Sequence, residues 1–166
     1  ININNINAPV ITFDSLHAVT CLGDLNGDIF VSIAGGVAPY TQIWNPNAVS
    51  ISEDLLNVSA GTYTLTVTDA VGCISSFDTT LVSPLPIIPT ITSTDATCDS
   101  CNGTAGITTT GGVGTITYLW SNNAITSSVQ NLCAGVYPVM ISDDNNCSIT
   151  SNVIINNTGG PTGESI

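Results

Sequence analysis

One stretch of alternating apolar and polar residues occurs twice in this chain. Residues 61–73 read GTYTLTVTDAVGC, and residues 135–147, about 74 positions later, read GVYPVMISDDNNC. Because side chains alternate between the two faces of a strand, each stretch predicts a β-strand with one apolar face. An Asp, a turn of small or amide residues and a cysteine then follow each strand. The apolar positions are Tyr63, Leu65 and Val67 in the first copy and Tyr137, Val139 and Ile141 in the second.

The signals that precede this motif are duplicated as well. In both copies an Asn-Gly pair comes first, then a Gly-Gly pair, and then a tryptophan that ends a short strand pattern. Turn signals recur roughly every eight to twelve residues and no stretch has helical periodicity, which predicts short antiparallel strands. The expected fold class is all-β, with two tandem small Ig-like antiparallel β-sandwich repeats stapled by disulfides. The duplicated positions are Asn26-Gly27 and Asn102-Gly103, Gly35-Gly36 and Gly111-Gly112, and Trp44 and Trp120.

The duplication predicts two units instead of one. The joint between them contains three prolines within residues 83–89, so we expect a short and stiff linker. The first eight residues resemble residues 153–157, which predicts that they end a preceding repeat. On this interpretation the sequence is a fragment of a longer array, and any export signal lies outside it. The expected boundaries are 1–8 for the end of a preceding repeat, 9–84 for repeat 1, 85–157 for repeat 2, and 158–166 for a linker to a following unit.

The charge of the chain excludes two classes of partner. The sequence contains 12 acidic residues and no Lys or Arg, so its formal net charge is -12. Nucleic-acid binding requires a basic surface, and attraction to anionic lipid headgroups requires basic side chains as well. No apolar run approaches the roughly twenty residues that span a bilayer, and membrane insertion is therefore not expected.

The six cysteines favour a disulfide framework over catalytic thiols. Such a framework indicates an oxidising, extracellular compartment. Zinc is the alternative, because Cys98 and Cys101 have ligand-like spacing. The first copy, however, contains only Cys21 and Cys73, which are too few for a closed zinc site.

The duplication also predicts how the cysteines pair. With two cysteines in the first copy, only one pairing is available there, and the matching positions define a second pair in the other copy. The remaining two cysteines then form a third. Each of the two long loops encloses about fifty residues and contributes about 4 kcal/mol in the chain-entropy model. The expected pairs are Cys21 with Cys73, Cys98 with Cys147, and Cys101 with Cys133.

The order of these signals resembles the SprB repeat, which occurs in very large surface adhesins of gliding Bacteroidetes. The resemblance rests on Cys, Asn-Gly, Gly-Gly, an aromatic residue, Trp, then Gly-x-Tyr-x-x-x-aliphatic-x-Asp and Cys, and it covers roughly residues 9–84 and 86–157. The second copy departs from it at Gly114-Thr115, where a Pro-Tyr pair is missing, and at Asn145-Asn146, where a glycine is lost. The resemblance implies type IX secretion and an extracellular, outer-membrane-attached filament used in cell adhesion and gliding motility.

The function predicted from these features is that of a non-enzymatic structural spacer or stalk in a large adhesin filament. Expected partners are neighbouring repeats of the same chain, with surface polysaccharide or other filament copies as further candidates. The alternative is a carbohydrate-binding module in which an exposed Trp44 or Trp120 contacts glycan. Because both tryptophans occupy one repeat position beside a Gly-Gly turn, we expect them to pack in the core with Tyr63 and Tyr137. Tyr63 lies too far before Cys73 to predict the tyrosine corner of a true immunoglobulin domain.

No catalytic residue is expected. His17 would need a nucleophile and an orienting acid, and the chain offers no second His, no Lys and no Arg. Calcium is the one cofactor that remains a candidate, because two acidic stretches place carboxylate and amide oxygens close together. The first stretch lacks the glycine and the closing Glu of a calcium loop, so a plain Asx turn is favoured there. The calcium candidates are Asp24, Asn26 and Asp28 in the first stretch and Asp143 and Asp144 in the second.

Overall fold

Each half of the protein contains the same set of antiparallel strands. The computed structural model describes residues 8–46, 52–98 and 100–159. The chain divides between Ser83 and Pro84 into two compact parts, unit 1 and unit 2. The expected repeat boundaries stay predictions, and most of the two flanking segments, 1–8 and 158–166, lies outside the described residues.

The described residues of unit 1 form six strands, which make two three-stranded sheets. The strands are β1 (Val10–His17), β2 (Gly27–Ala34), β3 (Thr41–Asn45), β4 (Leu55–Val58), β5 (Gly61–Thr68) and β6 (Ile74–Leu81). One sheet has the order β1-β2-β4 and the other has the order β3-β5-β6, and every pairing is antiparallel.

Unit 2 repeats this plan and adds one short parallel pair. Its strands are β7 (Ile88–Thr94), β8 (Ala96–Thr97), β9 (Gly103–Thr110), β10 (Thr117–Trp120), β11 (Ser128–Leu132), β12 (Gly135–Ser142), β13 (Ser148–Ile155) and β14 (Asn157–Thr158). The sheets have the orders β7-β9-β11 and β10-β12-β13, and β8 pairs with β14 in parallel. Within the described ranges, no helix has the length and apolar character needed to cross a membrane.

Side-chain alternation decides which residues form the two cores. In β5 the side chains of Tyr63, Leu65 and Val67 are at most 1% exposed, and the threonines between them lie on the opposite face. In β12 Val139 and Ile141 are fully buried. The predicted strands and their apolar faces are therefore confirmed in both copies. Tyr137 differs from Tyr63, because it packs only partly buried against its core.

The strand order confirms the predicted Ig-like sandwich. In immunoglobulin domains strands A, B and E lie in one sheet, strands C, F and G lie in the other, and strand C carries a buried tryptophan. β1, β2 and β4 correspond to the first sheet, and β3, β5 and β6 correspond to the second. Trp44 on β3 and Trp120 on β10 are each 1% exposed, at the position of the strand C tryptophan.

Each unit also contains a tyrosine corner, although the spacing between Tyr63 and Cys73 predicted that it would be absent. The Tyr63 hydroxyl, at the start of β5, donates to the Ser59 carbonyl oxygen at 2.8 Å, and the Tyr137 hydroxyl donates to the Cys133 carbonyl oxygen at 3.0 Å. A bond from a strand F tyrosine to the backbone a few residues upstream is the defining contact of this corner. The expectation was wrong because it relied on the spacing between Tyr63 and the cysteine that joins the two sheets in immunoglobulin domains. Neither β2 nor β5 contains a cysteine, so that spacing does not apply here.

Strand direction gives each unit two distinct ends. In unit 1, β1 begins where Val10 pairs with Ala34, close to the β2–β3 turn, and we call this the leading end. β6 finishes where Leu81 pairs with Gly61, on the side of the β1–β2 loop, and we call this the trailing end. Unit 2 has the same polarity in β7 and β13. Because these strands are eight residues long or nearly so, the two ends of a unit lie about 25 Å apart.

Candidate functional sites at the two ends of each unit

A buried carboxylate holds the leading end of unit 1 together. Asp69 directly follows β5 and is 5% exposed. Its Oδ2 accepts a hydrogen bond from the Val37 N–H at 3.1 Å, and its Oδ1 accepts bonds from the N–H groups of Val71 at 3.1 Å and Cys73 at 2.8 Å. One side chain therefore joins the β5–β6 turn, which contains it, to the β2–β3 turn.

The same geometry keeps Asp69 ionised. Burial by itself raises the pKa of this carboxyl, because it disfavours the charged form. The surrounding backbone N–H groups, led by that of Cys73, favour the charged form more strongly, and the net pKa of Asp69 lies below its ordinary value. In a chain without Lys or Arg, backbone N–H groups supply the positive partial charge that basic side chains provide elsewhere.

Unit 2 has the same clamp around Asp143, which is 6% exposed. Its Oδ2 accepts from the Val113 N–H at 2.9 Å, and its Oδ1 accepts from the Cys147 N–H at 2.9 Å. The main chain repeats as well, since the Ala70 N–H donates to the Val37 carbonyl oxygen and the Asp144 N–H donates to the Val113 carbonyl oxygen. We call each set of bonds the aspartate clamp of its unit.

The Gly-Gly pair of each repeat leaves room for the clamp. Gly36 has a φ of 62°, a left-handed conformation that residues with a Cβ rarely adopt. A Cβ at Gly36 would lie 2.9 Å from Asp69 Oδ2 and 3.1 Å from the Pro9 nitrogen. Sequence reasoning identified the glycines as a turn and Asp69 as a strand end, and it missed the bond between them. The available signal was that both copies place Asp at the same point after the strand.

The trailing ends contain a second repeated arrangement. In unit 1 the Thr20 N–H donates to Asn26 Oδ1 at 3.1 Å, and in unit 2 the Thr97 N–H donates to Asn102 Oδ1 at 2.9 Å. These bonds close the loop that leads into β2 or β9, directly before the first cysteine of each unit. The predicted Asn-Gly turn signals are therefore located at the same structural position.

Only one of the three predicted cysteine pairs is present. Cys101 and Cys133 form the predicted disulfide at the trailing end of unit 2. Cys73 and Cys98 have free thiols, whereas Cys21 and Cys147 are both disulfide-bonded. The predicted pairs Cys21 with Cys73 and Cys98 with Cys147 are therefore wrong.

The cause of this error is strand polarity within each unit. Cys21 belongs to the β1–β2 loop at the trailing end, and Cys73 belongs to the aspartate clamp at the leading end. The same separation applies to Cys98 and Cys147. The Cα atoms of a disulfide lie about 4.4 to 6.8 Å apart, far less than the length of an eight-residue strand. The repeat identified equivalent cysteines correctly, but it carried no information on which of them are neighbours.

The two tryptophans do not offer a sugar-binding surface. Trp44 and Trp120 are each 1% exposed, and each ring N–H donates to a backbone carbonyl oxygen, of Glu53 at 3.3 Å and of Thr126 at 2.8 Å. The predicted core role of both residues is confirmed. The alternative of a carbohydrate-binding module that uses an exposed tryptophan is contradicted for these residues.

The calcium candidates are occupied by hydrogen-bond donors. Asp24 Oδ2 accepts from the Thr20 hydroxyl at 2.7 Å and from the Cys21 N–H at 3.1 Å, and Asp28 Oδ1 accepts from the Asn57 N–H at 3.0 Å. Asn26 Oδ1 and both oxygens of Asp143 also accept from backbone N–H groups, and Asp144 Oδ2 accepts from the Thr115 N–H. The part of the chain that the structure describes contains no group of three or more His, Cys, Asp and Glu side chains that could hold a metal ion.

His17 lies at the end of β1 with a largely exposed side chain. Its Nδ1 is 3.4 Å from Asp28 Oδ2, and its ring packs edge-on against Phe30.

Fold and sites together define the class of this protein: a tandem pair of Ig-like β-sandwich repeats, each with an aspartate clamp at its leading end and a tyrosine corner at its trailing end. Residues 18–49 and 90–125 match the family model described as the SprB repeat. Each unit therefore contains one segment that is similar to the SprB repeat. The two matched segments contain the Asn-Gly turn, the Gly-Gly turn and the buried tryptophan of each unit. No curated protein matches the sequence significantly.

Several solved structures are similar in fold at low sequence identity. The N-terminal eight Ig domains of Down Syndrome Cell Adhesion Molecule isoform 1.30.30 align with 15% identity and a TM-score of 0.45, covering 92% of this chain and 25% of that one. DIP-gamma IG1+IG2 aligns with 11% identity and a TM-score of 0.42, covering 91% and 98%. Murine CEACAM1b aligns with 15% identity and a TM-score of 0.33, covering 89% and 100%. This chain thus spans a quarter of the first of these structures.

Proposed function

We propose that the two repeats are non-enzymatic spacers in a large extracellular adhesin filament. The observation that carries this proposal is that the chain enters each unit at its leading end and leaves it at its trailing end. A repeat with this polarity advances the chain by about one strand length, which suits a stalk. A unit whose two chain ends lay side by side would gain no such length.

The SprB repeat family supports the remaining parts of the proposal. Surface adhesion, gliding motility, export by the type IX route and attachment at the outer membrane are carried over from that family. The Cys101–Cys133 disulfide agrees with an oxidising, extracellular compartment. The proline-containing joint at residues 83–89 supports a stiff connection.

Small-angle X-ray scattering of fused arrays tests the spacer role. Arrays of one, two and three copies of this chain, joined in frame, should show a maximum dimension that increases in proportion to the number of units. A matched control is the same array with a long Gly-Ser linker inserted between Ser83 and Pro84, which should give a broader distribution of distances. A maximum dimension that stays nearly constant as units are added would contradict the spacer role.

A further inference from the structure

Two cysteines of this chain lack a disulfide partner, and one lies at a leading end whereas the other lies at a trailing end. Cys73 is at the leading end of unit 1 and is partly exposed, and Cys98 is at the trailing end of unit 2 and is exposed. Both thiols are free. Free, accessible thiols at the ends of a repeat in an otherwise oxidised protein call for an explanation that the spacer role does not give.

Neither thiol can pair inside its own unit. The only other cysteine of unit 1 is Cys21, which lies at the opposite end and is already disulfide-bonded. In unit 2, Cys101 and Cys133 are bonded to each other, and Cys147 is at the opposite end from Cys98 and is also bonded. A partner for either thiol must therefore come from outside the unit.

In each unit, the cysteine equivalent to the free thiol of the other unit is disulfide-bonded. Cys21 is the unit 1 equivalent of Cys98, because each directly follows a threonine whose N–H donates to the Asn of the Asn-Gly turn. Cys147 is the unit 2 equivalent of Cys73, because the N–H of each donates to Oδ1 of the clamp aspartate, at 2.9 Å and 2.8 Å. Cys21 and Cys147 are both disulfide-bonded. The repeat thus uses one trailing-end and one leading-end position for disulfide bonding.

The backbone holds both free cysteines in defined positions. The Cys98 N–H donates to the Thr158 carbonyl oxygen at 3.0 Å, and its Sγ lies 3.2 Å from the Gly159 carbonyl oxygen. Cys73 is part of the aspartate clamp through its own N–H and carbonyl groups. Each thiol therefore sits on a structured surface at the end of its sandwich.

We propose that the leading-end and trailing-end cysteines are complementary halves of a disulfide that joins one SprB unit to another, so that Cys98 of one copy of this chain bonds to Cys73 of a second copy. The contact is heterologous, since it joins two different surfaces. A heterologous contact can add copies indefinitely when the rotation from one copy to the next does not close into a ring. The product is then a linear polymer. Pairing of like ends would stop at two copies.

The reaction is an ordinary thiol–disulfide exchange. The Cys98 thiolate attacks a small-molecule disulfide such as oxidised glutathione, which forms a mixed disulfide and releases one glutathione thiol. The Cys73 thiolate of the second copy then attacks the Cys98 sulfur and releases the second glutathione thiol. The two cysteines lose two protons and two electrons in total, and one molecule of oxidised glutathione is reduced.

Oxidation of the purified chain tests the proposal. Wild-type chain in a glutathione redox buffer should give a ladder of dimers, trimers and larger species on non-reducing gels, and mass spectrometry should identify a peptide that joins Cys98 to Cys73. Cys73→Ser and Cys98→Ser, each oxidised alone, should give no species above a dimer. An equimolar mixture of the two variants should give several-fold more dimer than either variant alone. Wild-type chain blocked with N-ethylmaleimide before oxidation should stay monomeric, which tests the thiols without a substitution.

Two results would overturn the proposal: a wild-type chain that stays monomeric under oxidation, or single variants that dimerise as readily as the mixture. The inference goes beyond the spacer role and can fail separately from it. Fused arrays report on shape without any disulfide between copies, whereas the ladder reports only on Cys73 and Cys98.

Discussion

The Asp69 carboxylate accepts a hydrogen bond from the Val37 N–H at 3.1 Å, across 32 positions of sequence. This bond joins two turns at one end of a β-sandwich, and Asp143 and Val113 repeat it in the second unit. In a chain that has no Lys or Arg, this buried carboxylate is satisfied by backbone N–H groups. The aspartate clamp is therefore the polar feature from which we expect the largest effect of a single substitution at the leading end.

Asp69→Asn should destabilise unit 1 at neutral pH. The substitution removes the charge and turns an N–H₂ group toward the backbone N–H donors, so the melting temperature of unit 1 should fall by several degrees. Asp78→Asn is the matched control, because Asp78 is exposed and accepts a hydrogen bond from the Thr64 hydroxyl at the surface. Calorimetry of both variants checks the prediction, and equal melting temperatures would contradict it.

The destabilisation by Asp69→Asn should depend on pH in one direction. Because the folded-state pKa of Asp69 is lowered, its ionisation stabilises the folded state fully above the unfolded pKa of about 4, and this stabilisation disappears as the pH falls through the folded pKa. The difference in melting temperature between wild type and Asp69→Asn should therefore be constant near neutral pH and narrow below about pH 4. A difference that widens in acid would show that the carboxylate is not the stabilising form.

The two tryptophans should behave as core residues in both stability and fluorescence. Trp44→Ala or Trp120→Ala should cost about 3 to 5 kcal/mol of unfolding free energy, because each removes a fully buried ring. Trp44→Phe leaves Trp120 as the only tryptophan, and Trp120→Phe leaves Trp44. Each remaining tryptophan should emit at short wavelength and resist quenching by acrylamide. Strong quenching would contradict the core position and support a glycan-binding role for that tryptophan.

The Cys101–Cys133 disulfide should stabilise unit 2 alone. It encloses 32 positions, for which the chain-entropy model gives about 3 to 4 kcal/mol. The double variant Cys101→Ala/Cys133→Ala should lower the urea midpoint of unit 2 and leave that of unit 1 unchanged. Ser59 occupies in unit 1 the place of Cys133, so unit 1 serves as an internal control. Unchanged unfolding of both units would contradict the prediction.

Glycines at the start of β2 and β9 should be more sensitive to substitution than glycines at the start of β5 and β12. A Cβ at Gly27 would lie 2.9 Å from Leu81 Cδ1, and one at Gly103 would lie 2.7 Å from Ile155 Cγ2. Gly27→Ala or Gly103→Ala should therefore cost about 1 to 3 kcal/mol by overpacking.

Gly61→Ala and Gly135→Ala are the matched controls for these two substitutions. The nearest atoms to a Cβ at either position lie 3.7 Å away, in Tyr63 and Tyr137. These variants should be neutral or slightly stabilising, because alanine restricts the unfolded chain. Urea denaturation of all four variants checks the contrast, and a similar loss in both pairs would contradict it.

The sequence by itself determined the local and repeated features of this protein. Alternation in β5 and β12 fixed the strands and their buried faces, since a side-chain period of two permits only one face to be apolar. Comparison of the two copies located the turns and assigned Trp44 and Trp120 to the core. These inferences succeeded because they depend on a few neighbouring residues, or on the equivalence of positions between copies.

Only the tertiary structure decided which distant residues meet. The fold placed Cys21 and Cys73 at opposite ends of one sandwich, and it brought Asp69 to Val37, because strand order and direction set these distances. The tyrosine corner at Tyr63 was missed for the same reason, since it is defined by the path of the chain between sheets and not by the spacing to a cysteine. A duplicated pattern shows which residues are equivalent, whereas proximity follows from how the strands are connected and paired.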